Sequence, residues 1–529
     1  MTDRRPGALL SETWLCWGGL GLTALLLCCS FPPFGHPFVA FFALIPATLA
    51  AAAAPAWRLW RRAAYFTSWA LWIALLAWLR HIYPPLGWLG LILLTAYCAV
   101  YPFAWLLALR WIFPACREAS APARLLATLG LAGAWGLLEW LRTTALTGFG
   151  WLPFAASQQG NGVLLSLCAW VGPPGLSMGL VLINLGLASW IARLRTQQAA
   201  TEPVTPASWL RRLTPELYLG LGVIAAGFYV TLTQFAHDAP RKEIRIAGLR
   251  TDFDPTEKWD AGKLDKHAQA LNAATVAAGR EKPDIVLWPE AALPLSTENA
   301  NYVTFLRSNV AGAGCPLLIG AIEPRQGGYA NSVVAVTAEG LGKPTYAKRH
   351  LVPFGEYVPF ADWLPLRKVV PIAEDCVAGQ GASLLPLTSR SGFTFLTGPL
   401  VCYEDVFPEL AREHALEGAD LLVVVTNDGW YGHEAGDAQH TSHSVLMAAA
   451  TGLPVARSGN AGWSGVISPR GVLQPTGAPG QPLTAVAQVR RGGSEPTFWV
   501  RHGDWAVGLG GLSFALTYLW RRRRIAHAA

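Results

Sequence analysis

Eight long apolar stretches constrain the fold of this chain more than any other feature of its sequence. Seven lie before residue 240 and one lies near the C-terminus, and each approaches the ~20 residues that an α-helix needs to cross a bilayer. They cover residues 10–30, 37–54, 63–79, 88–109, 125–141, 174–192, 217–236 and 504–520. Buried core helices cannot account for eight such stretches in one chain, so the pattern predicts an eight-helix transmembrane bundle.

The composition excludes two other classes of protein. Only 14% of the residues are charged, whereas soluble domains usually carry about 25%, so an ordinary cytosolic enzyme is excluded. The net charge of +7 comes largely from arginines beside hydrophobic segments, and no nucleic-acid partner is expected. The first stretch follows Arg4 and Arg5 as a signal peptide would. Because it is long and lacks a clean cleavage site, we expect it to be retained.

Arginine is distributed unequally between the two sides of the predicted bundle. Sixteen arginines fall at the termini and in alternate loops on one side, whereas only Arg80 and Arg142 fall on the other. Cytoplasmic loops are enriched in Lys and Arg, so both termini are predicted to be cytoplasmic. With seven predicted spans before it and one after, the polar block would lie on the far side of this multi-pass protein, which in a bacterium is the periplasmic face of the cytoplasmic (inner) membrane.

A polar block interrupts the apolar chain between the seventh and eighth stretches. All eight lysines lie between Lys242 and Lys368. The expected domains are a seven-span domain (1–240), a periplasmic domain (241–501) and the eighth span with a basic cytoplasmic tail (502–529). Short apolar runs alternate with helical patterns in the block, which is typical of an α/β domain. The expected strands cover 244–249, 284–288, 316–322, 332–336, 393–402, 421–426 and 466–468, and the expected helices cover 257–279, 301–311, 407–418 and 437–451.

Three apolar runs of the polar block each end at an ionisable side chain. Glu290 follows Pro289, Lys348 closes a second run, and Cys402 stands between a strand and a predicted helix. Taken singly, Glu290 and Lys348 are more typical of a solvated carboxylate and a surface lysine, and Cys402 is as typical of an inert buried thiol as of a reactive one. A thiol at a strand-to-helix turn is, however, exposed beside backbone N–H groups that can bind an oxyanion. Cys402 is therefore a candidate nucleophile.

Taken together, Glu, Lys and Cys at successive strand ends resemble the catalytic triad of the nitrilase superfamily, whose members use an αββα sandwich. The resemblance is closer still to the bacterial apolipoprotein N-acyltransferases, in which a periplasmic nitrilase-like domain is inserted between the seventh and eighth of eight transmembrane helices. It covers essentially the whole chain. The matching motifs are 288–291, 348–359, 401–404, 427–432 and 458–460, with 258–260 upstream and 148–152 in the membrane part. Gly429 stands where a somewhat larger residue would be expected.

The resemblance implies a role for each matching residue. Cys402 would be the nucleophile, Glu290 the general base and Lys348 the cation that stabilises the thiolate and the oxyanion. Glu356 and Glu404 would orient the lysine and the turn, and Tyr403 would supply the backbone N–H that follows the nucleophile. Residues implied to contact substrate are Trp259, Trp430, Tyr431, Asn460 and Trp151.

The implied reaction moves a fatty acyl chain from a membrane phospholipid, through a cysteine thioester, to the N-terminal α-amine of diacylglyceryl-cysteine in an apolipoprotein. A monomer that works in contact with membrane lipid and needs no cofactor is expected. Two alternatives stay open. One is a membrane-tethered nitrilase-type amidase, and the other is a transporter or scaffold with a catalytically inactive outer domain.

Three further features of the sequence have more than one interpretation. His433, His440 and His443 lie near Glu434 and Asp437, but no zinc motif accompanies them and no metal is expected. Residues 352–370 mix aromatic and basic residues, which is typical of an interfacial loop or of a buried connection. Glu139 lies inside the fifth apolar stretch, where a carboxylate is a candidate for function, with Arg142 as a possible partner.

Overall fold

The structure is a computed structural model that describes residues 6–83, 86–198, 213–236, 242–363, 365–368, 374–432, 434–489 and 495–528. It divides the chain into two compact units, one formed by residues 1–237 and 504–529 and the other by residues 238–503. Several residues named above lie outside the described part: Arg4, Arg5, His433 and positions 364 and 369–370. So do Arg211 and Arg212, two of the sixteen arginines counted on one side of the predicted bundle.

The first unit is helical. Its α-helices are α1 (Pro6–Ser30), α2 (Ile45–Ala52), α3 (Trp57–Leu75), α4 (Leu86–Ile112), α5 (Ala121–Thr144), α6 (Gly162–Leu165), α7 (Cys168–Gln198), α8 (Pro215–Ala236) and, after the second unit, α14 (Trp505–Ala528). Five segments in the described part are long and apolar enough to cross a membrane: Glu12–Ser30, Leu86–Glu118, Ala121–Thr147, Cys168–Arg195 and Pro215–Thr233. These five correspond to the predicted stretches one, four, five, six and seven.

The other three predicted stretches differ from a simple span. The second, 37–54, folds as a 3₁₀ turn (Pro37–Phe41) followed by the eight-residue α2, because Pro37 and Pro46 each start a new helical segment. Helices α3 and α14 form where predicted, but arginines within them lower their mean hydropathy, and they are not among the five apolar segments. The structure thus supports a membrane-type bundle of about five apolar helices.

Glu139 and Arg142 make their hydrogen bonds to other groups rather than to each other, although their charges interact. Arg142 donates from Nη1 to the carbonyl oxygens of Phe149 (2.9 Å) and Trp151 (2.5 Å). Glu139 accepts at Oε1 from the backbone N–H of Phe154 at 2.7 Å. Irregular backbone inside a membrane unit needs such partners because no water is present to satisfy it. The two charged side chains therefore hold the segment after α5 in place.

The second unit contains two β-sheets. The first has the strand order β13-β1-β2-β3-β4-β5, with β6 paired to β4, and the second has the order β12-β11-β10-β9-β8-β7. The strands are β1 (Lys242–Gly248), β2 (Ile285–Leu287), β3 (Leu317–Arg325), β4 (Gly328–Thr337), β5 (Gly340–Leu341), β6 (Tyr346–Ala347), β7 (Leu385–Thr388), β8 (Thr394–Val401), β9 (Leu421–Asn427), β10 (Val455–Asn460), β11 (Gly465–Ile467), β12 (Leu473–Pro475) and β13 (Ala485–Val489).

The two sheets pack face to face, and helices cover their outer faces. One apolar cluster joins Ile246 and Leu287 of the first sheet to Val401 and Val425 of the second. The helices are α9 (Leu264–Gly279), α10 (Ala300–Ala313), α11 (Pro408–Leu416), α12 (Ala435–Thr451) and α13 (Phe498–His502). Helices α9 and α10 cover the first sheet, whereas α11 packs on β8 and α12 on β10. The unit is therefore an αββα sandwich.

Parallel pairing brings the important strand ends together within each sheet. Strands β1, β2 and β3 are parallel neighbours, and so are β8, β9 and β10. The carboxyl ends of parallel strands lie at one edge of a sheet, so residues that follow β1 and β2 share an edge of the first sheet, and residues that follow β8, β9 and β10 share an edge of the second. Every predicted strand of the second unit is present with small shifts at its ends.

Candidate active site

Glu290 lies just beyond the carboxyl end of β2, where Pro289 ends the strand. Its side chain is buried, and its Oε1 accepts a 2.6 Å hydrogen bond from the amide of Asn331 on β4. The backbone here approaches β3 so closely that a Cβ at Gly320 would lie 2.5 Å from the Cα of Glu290. A glycine at position 320 is thus required to place this carboxylate.

Lys348 follows β6 and is almost completely buried beside two carboxylates. Its Nζ lies 2.9 Å from the carboxylate of Glu356 and 3.8 Å from Oε1 of Glu290. Asn331 donates to both carboxylates, at 2.6 Å to Glu290 and 3.2 Å to Glu356. Burial opposes the charge on Lys348, but Glu356 and Glu290 outweigh it and raise its pKa. Lys348 is therefore a fixed ammonium ion at neutral pH.

Cys402 occupies a sharp turn between β8 and the 3₁₀ helix Cys402–Val406. Its φ of +51° lies in the left-handed region, which a residue with a Cβ adopts only under strain. Burial raises the pKa of the Cys402 thiol well above its usual value, the nearby Glu290 raises it further, and Lys348 opposes both. At neutral pH the thiol is therefore protonated, and attack requires a base.

Glu404 ties the turn at Cys402 to the segment that follows Lys348. Its two carboxylate oxygens accept from the hydroxyl of Tyr346 at 2.9 and 3.0 Å. They also accept from the backbone N–H groups of Val401 (2.8 Å), Arg349 (2.7 Å) and His350 (3.1 Å). Burial raises the pKa of Glu404, although the backbone donors lower it in part. Its contacts are those of a residue that orients the lysine segment and the turn, and Tyr403 is buried beside Phe407 in the same turn.

A second buried lysine, Lys258, was not singled out as a site residue in the sequence. Its Nζ donates to the backbone carbonyl of Glu290 at 2.7 Å, and its side chain is 2% exposed. Burial lowers the pKa of Lys258 to about 8, although Glu290 and Cys402 act in the opposite direction. Within the motif 258–260, the resemblance implied a substrate contact only for Trp259, whose side chain is about half exposed.

A network of four buried charged side chains lies behind the turn: Asp405, Asp428, His440 and Arg457. Arg457 donates to Asp405 (2.7 Å) and to Asp428 (2.9 Å). The ring of His440 contacts Asp428 through Nδ1 at 2.7 Å and the carbonyl oxygen of Cys402 through Nε2 at 3.2 Å. In the described part of the chain, no group of three acidic, His or Cys side chains is arranged to hold a metal ion.

The residues implied to contact substrate are distributed over both units. Tyr431 is buried with its ring against His440, and Trp430 is half-buried. Asn460 uses all of its hydrogen-bonding capacity within the protein, because its amide binds Phe253 and Asn427 and its oxygen binds Thr251 and Phe253. Trp151 belongs to the first unit, where it is buried against Trp78. A larger residue at position 429 would clash with Pro255, because a Cβ there would lie 2.7 Å from Cγ of Pro255, and Gly429 avoids this clash.

The cysteines form no disulfide bond. All nine lie in the described part of the chain, and all nine are free, including Cys315 and Cys376. Cys402 differs from the other two cysteines of its unit because it combines a strained turn with a neighbouring carboxylate and ammonium. A protonated thiol, a carboxylate that can accept its proton and a fixed cation are the parts that acyl transfer through a thioester needs.

Known protein families match both compact units of this chain. Residues 246–497 match the sequence profile of the Carbon-nitrogen hydrolase family, and residues 23–186 match that of the Apolipoprotein N-acyltransferase N-terminal domain. The chain is 30% identical to the apolipoprotein N-acyltransferase of Rhizobium leguminosarum over 84% of each chain. It is 29% identical to that of Geobacter metallireducens over 96% of this chain and 95% of the relative. Among solved structures, an amidase from Nesterenkonia sp. aligns at 18% identity and a TM-score of 0.33, over 51% of this chain and 96% of that one.

Proposed function

Because the chain belongs to the apolipoprotein N-acyltransferase family, we propose that it N-acylates apolipoproteins through a thioester on Cys402, with Glu290 and Lys348 completing the catalytic triad. The observation that carries the proposal is the meeting of the three side chains: Lys348 Nζ lies 3.8 Å from Glu290, and both charges act on the thiol of Cys402. The amidase alternative is not favoured, because the relatives that match most of the chain are named acyltransferases.

In the first half-reaction, the sulfur of Cys402 attacks the ester carbonyl of a phospholipid. Glu290 accepts the thiol proton, and Lys348 and the backbone N–H of Tyr403 stabilise the oxyanion of the tetrahedral intermediate. The intermediate collapses to a thioester and the ester C–O bond breaks. The leaving oxygen takes the proton from Glu290, and lysophospholipid departs.

In the second half-reaction, the α-amine of the diacylglyceryl-cysteine of an apolipoprotein attacks the thioester. The same two donors stabilise the second oxyanion, and Glu290 accepts the proton that the amine nitrogen loses. The C–S bond breaks, and the sulfur of Cys402 recovers its proton. Since both lipid substrates need the same carbonyl site, they act in turn, which is ping-pong kinetics.

The proposed domains place this chemistry at a membrane surface. A seven-span domain (1–240) and an eighth span with its basic tail (502–529) would flank a periplasmic catalytic domain (241–501). The two compact units divide the chain within a few residues of these boundaries. The arginine asymmetry supports the orientation in the bacterial inner membrane.

An exposed loop of the catalytic unit is suited to contact with lipid. Phe354, Phe360 and Trp363 are 51%, 62% and 85% exposed, although each is a large apolar side chain. Arg367 and Lys368 follow them and are exposed as well. Aromatic residues with neighbouring basic residues favour the interface of an anionic bilayer, so this loop would lead phospholipid toward the site.

The decisive experiment is mass spectrometry of the purified protein after incubation with phospholipid alone. We expect a fatty-acyl adduct on the Cys402 peptide, about one equivalent of lysophospholipid, and release of the adduct by hydroxylamine. Addition of a diacylated lipopeptide should then remove the adduct and yield the N-acylated peptide. Steady hydrolysis of phospholipid to free fatty acid at the rate of transfer would show a lipase instead.

A further inference from the structure

The buried network behind the turn makes one direct contact with the proposed nucleophile. His440 lies on α12 and is fully buried, and its Nε2 is 3.2 Å from the backbone carbonyl oxygen of Cys402. This contact concerns the main chain of the nucleophile and not its thiol. It therefore bears on the shape of the turn.

Both ring nitrogens of His440 face hydrogen-bond acceptors. A carbonyl oxygen can only accept, so the proton of the contact with Cys402 resides on Nε2. Nδ1 lies 2.7 Å from Oδ1 of Asp428, and Oδ1 of Asp405 lies 2.8 Å from Nε2. Arg457 also touches Nδ1 at 2.9 Å, but it is itself bound to both carboxylates. The surroundings of the ring are those of an imidazolium ion.

The charge balance of the network supports this protonation state. Burial opposes a charge on His440, but Asp405 and Asp428 outweigh it and raise its pKa to about 9. His440 and Arg457 in turn hold the pKa of Asp428 well below its usual range despite burial. With His440 protonated, two cations balance two carboxylates, and all four side chains are buried.

The contact fixes the direction of another group because a peptide unit is planar. The bond between Cys402 and Tyr403 is trans, so the carbonyl of Cys402 and the N–H of Tyr403 point in opposite directions. Because the carbonyl of Cys402 points toward the ring of His440, the N–H of Tyr403 points away from the network. That N–H is the backbone donor proposed for the oxyanion. The strained φ of Cys402 leaves this orientation dependent on an outside partner.

We infer that His440 is a positioning residue which, by donating to the carbonyl of Cys402, aims the N–H of Tyr403 at the oxyanion of both half-reactions. The inference rests on the proposed function, because it requires Cys402 to be the nucleophile. Asp405, Asp428 and Arg457 hold the ring of His440 in place and keep it protonated. Ser444 supports the network by donating to Asp405 at 2.6 Å.

The test compares two replacements of His440 in the full-length protein. Gln places an N–H donor at the position of Nε2 and can keep the contact with Cys402, whereas Asn ends near Nδ1 and cannot reach it. We expect His440→Asn to lower kcat about 10²-fold with little change in KM, as misplacement of a transition-state donor does. His440→Gln should recover at least a tenth of the wild-type kcat. Single-turnover rates of acylation by phospholipid and of transfer to lipopeptide should fall by the same factor, since both use the same donor.

His267→Gln is the matched control, because it also removes a buried histidine of this unit but lies on α9 against Phe253. It should retain the wild-type kcat. A folded His440→Asn protein with normal rates, or a loss confined to KM or to one half-reaction, would overturn the inference. If the Asn variant does not fold, the Gln variant tests the inference alone. A folded His440→Gln protein keeps the donor to Cys402, so loss of both half-reactions in that protein would contradict the inference. Absence of a thioester in the wild type would instead overturn the proposed function.

Discussion

Lys348 and Glu356 lie eight residues apart on one loop, and their side chains form a buried ion pair with a separation of 2.9 Å. Glu356 also accepts from the backbone N–H of Val352 at 2.8 Å, which fixes the carboxylate within its own loop. The position of the ammonium group therefore depends on Glu356 more than on Glu290, whose carboxylate is 3.8 Å away.

Replacement of Glu356 by Gln should impair catalysis without removing any proposed catalytic residue. Loss of the nearer carboxylate leaves Lys348 buried with one distant partner and free to shift toward Glu290, so we expect kcat to fall by about 10²-fold. Glu413→Gln is the matched control, because Glu413 pairs with Arg349, the next residue along, nearer the surface. Transfer assays with labelled phospholipid should show near-normal activity for the control. Equal losses in the two variants would contradict a specific role for Glu356.

Single replacements of the three triad residues should reduce activity to different extents. Cys402→Ala should abolish thioester formation and transfer, because the structure offers no other thiol at this turn. Glu290→Gln and Lys348→Met should each reduce the rate by about 10² to 10⁴, the usual cost of losing a base or an oxyanion donor. Cys315→Ala, which removes a buried thiol elsewhere in the same unit, should leave transfer unchanged. Retention of full activity by Cys402→Ala would refute the mechanism.

Lys258 should contribute through the backbone of Glu290. Its ammonium group is bound to the Glu290 carbonyl at 2.7 Å, and Ala291 next in sequence has a strained φ of +39°. Lys258→Met should therefore lower kcat by roughly tenfold, because the base loses its fixed position. Lys263→Met, five residues along and more exposed, serves as the control and should behave as the wild type. A Lys258→Met protein with wild-type kcat would show that the base needs no such support.

The stability of the catalytic unit should fall at alkaline pH. The pKa of His440 is about 9 in the folded protein and 6.5 for an ordinary histidine, so its contribution is fully present below pH 6.5 and is lost as the pH rises through 9. The groups that face the ring are Asp405, Asp428, Arg457 and Tyr431, and Asp437 and His443 lie nearby on the same helix. We expect Tm to drop by several degrees between pH 6.5 and pH 9.5.

The control for this pH effect is His440→Gln, which lacks the titrating ring at position 440 but keeps the other groups that titrate in the same interval, Lys258 among them. Its Tm should be lower than that of the wild type at pH 6.5 and should change less toward pH 9.5. Thermal unfolding followed by tryptophan fluorescence measures both. If Tm falls with pH to the same extent in both proteins, His440 is not the source of the lower stability at alkaline pH.

The membrane orientation can be tested with reporter fusions. A periplasmic reporter fused after Pro240 should be active, and the same reporter fused after Trp520 should be inactive, because we propose that the arginine-rich side of the bundle is cytoplasmic. A cytoplasmic reporter at the same two positions should give the reverse result. The opposite reporter result at either position would contradict the proposed orientation, because the catalytic unit would then lie on a different side of the membrane from its lipid substrates.

The sequence predicts the strand ends better than it predicts the side chains that support them. Glu290, Lys348 and Cys402 could be selected as candidates because each ends an apolar run, and periodicity detects such runs. Arg457 was missed because it lies in β10, a buried strand that contains several polar residues and therefore lacks the apolar pattern that predicts a strand. His440 was seen only as a possible metal ligand, since the carboxylates that hold it come from two other segments of the chain.

The membrane unit was predicted less completely for a related reason. Hydropathy locates apolar residues but does not show where prolines divide a stretch, as they do between Pro37 and Ala52. Likewise, the spacing of Glu139 and Arg142 suggests a pair one turn apart on a helix. The nearby irregular backbone offers both side chains better partners, and only the folded chain reveals it.

The protonated state of the Cys402 thiol has a consequence for survival in an oxidising compartment. Oxidants such as hydrogen peroxide react with thiolates, and susceptibility follows thiolate character and exposure. Cys402 is 8% exposed and its pKa is raised by burial, so in the resting protein it is a poor target for sulfenic acid formation. Reactivity then arises only when an ester carbonyl is in place and Glu290 can take the proton. In the periplasm proposed for this unit, the resting nucleophile should therefore react slowly with peroxide.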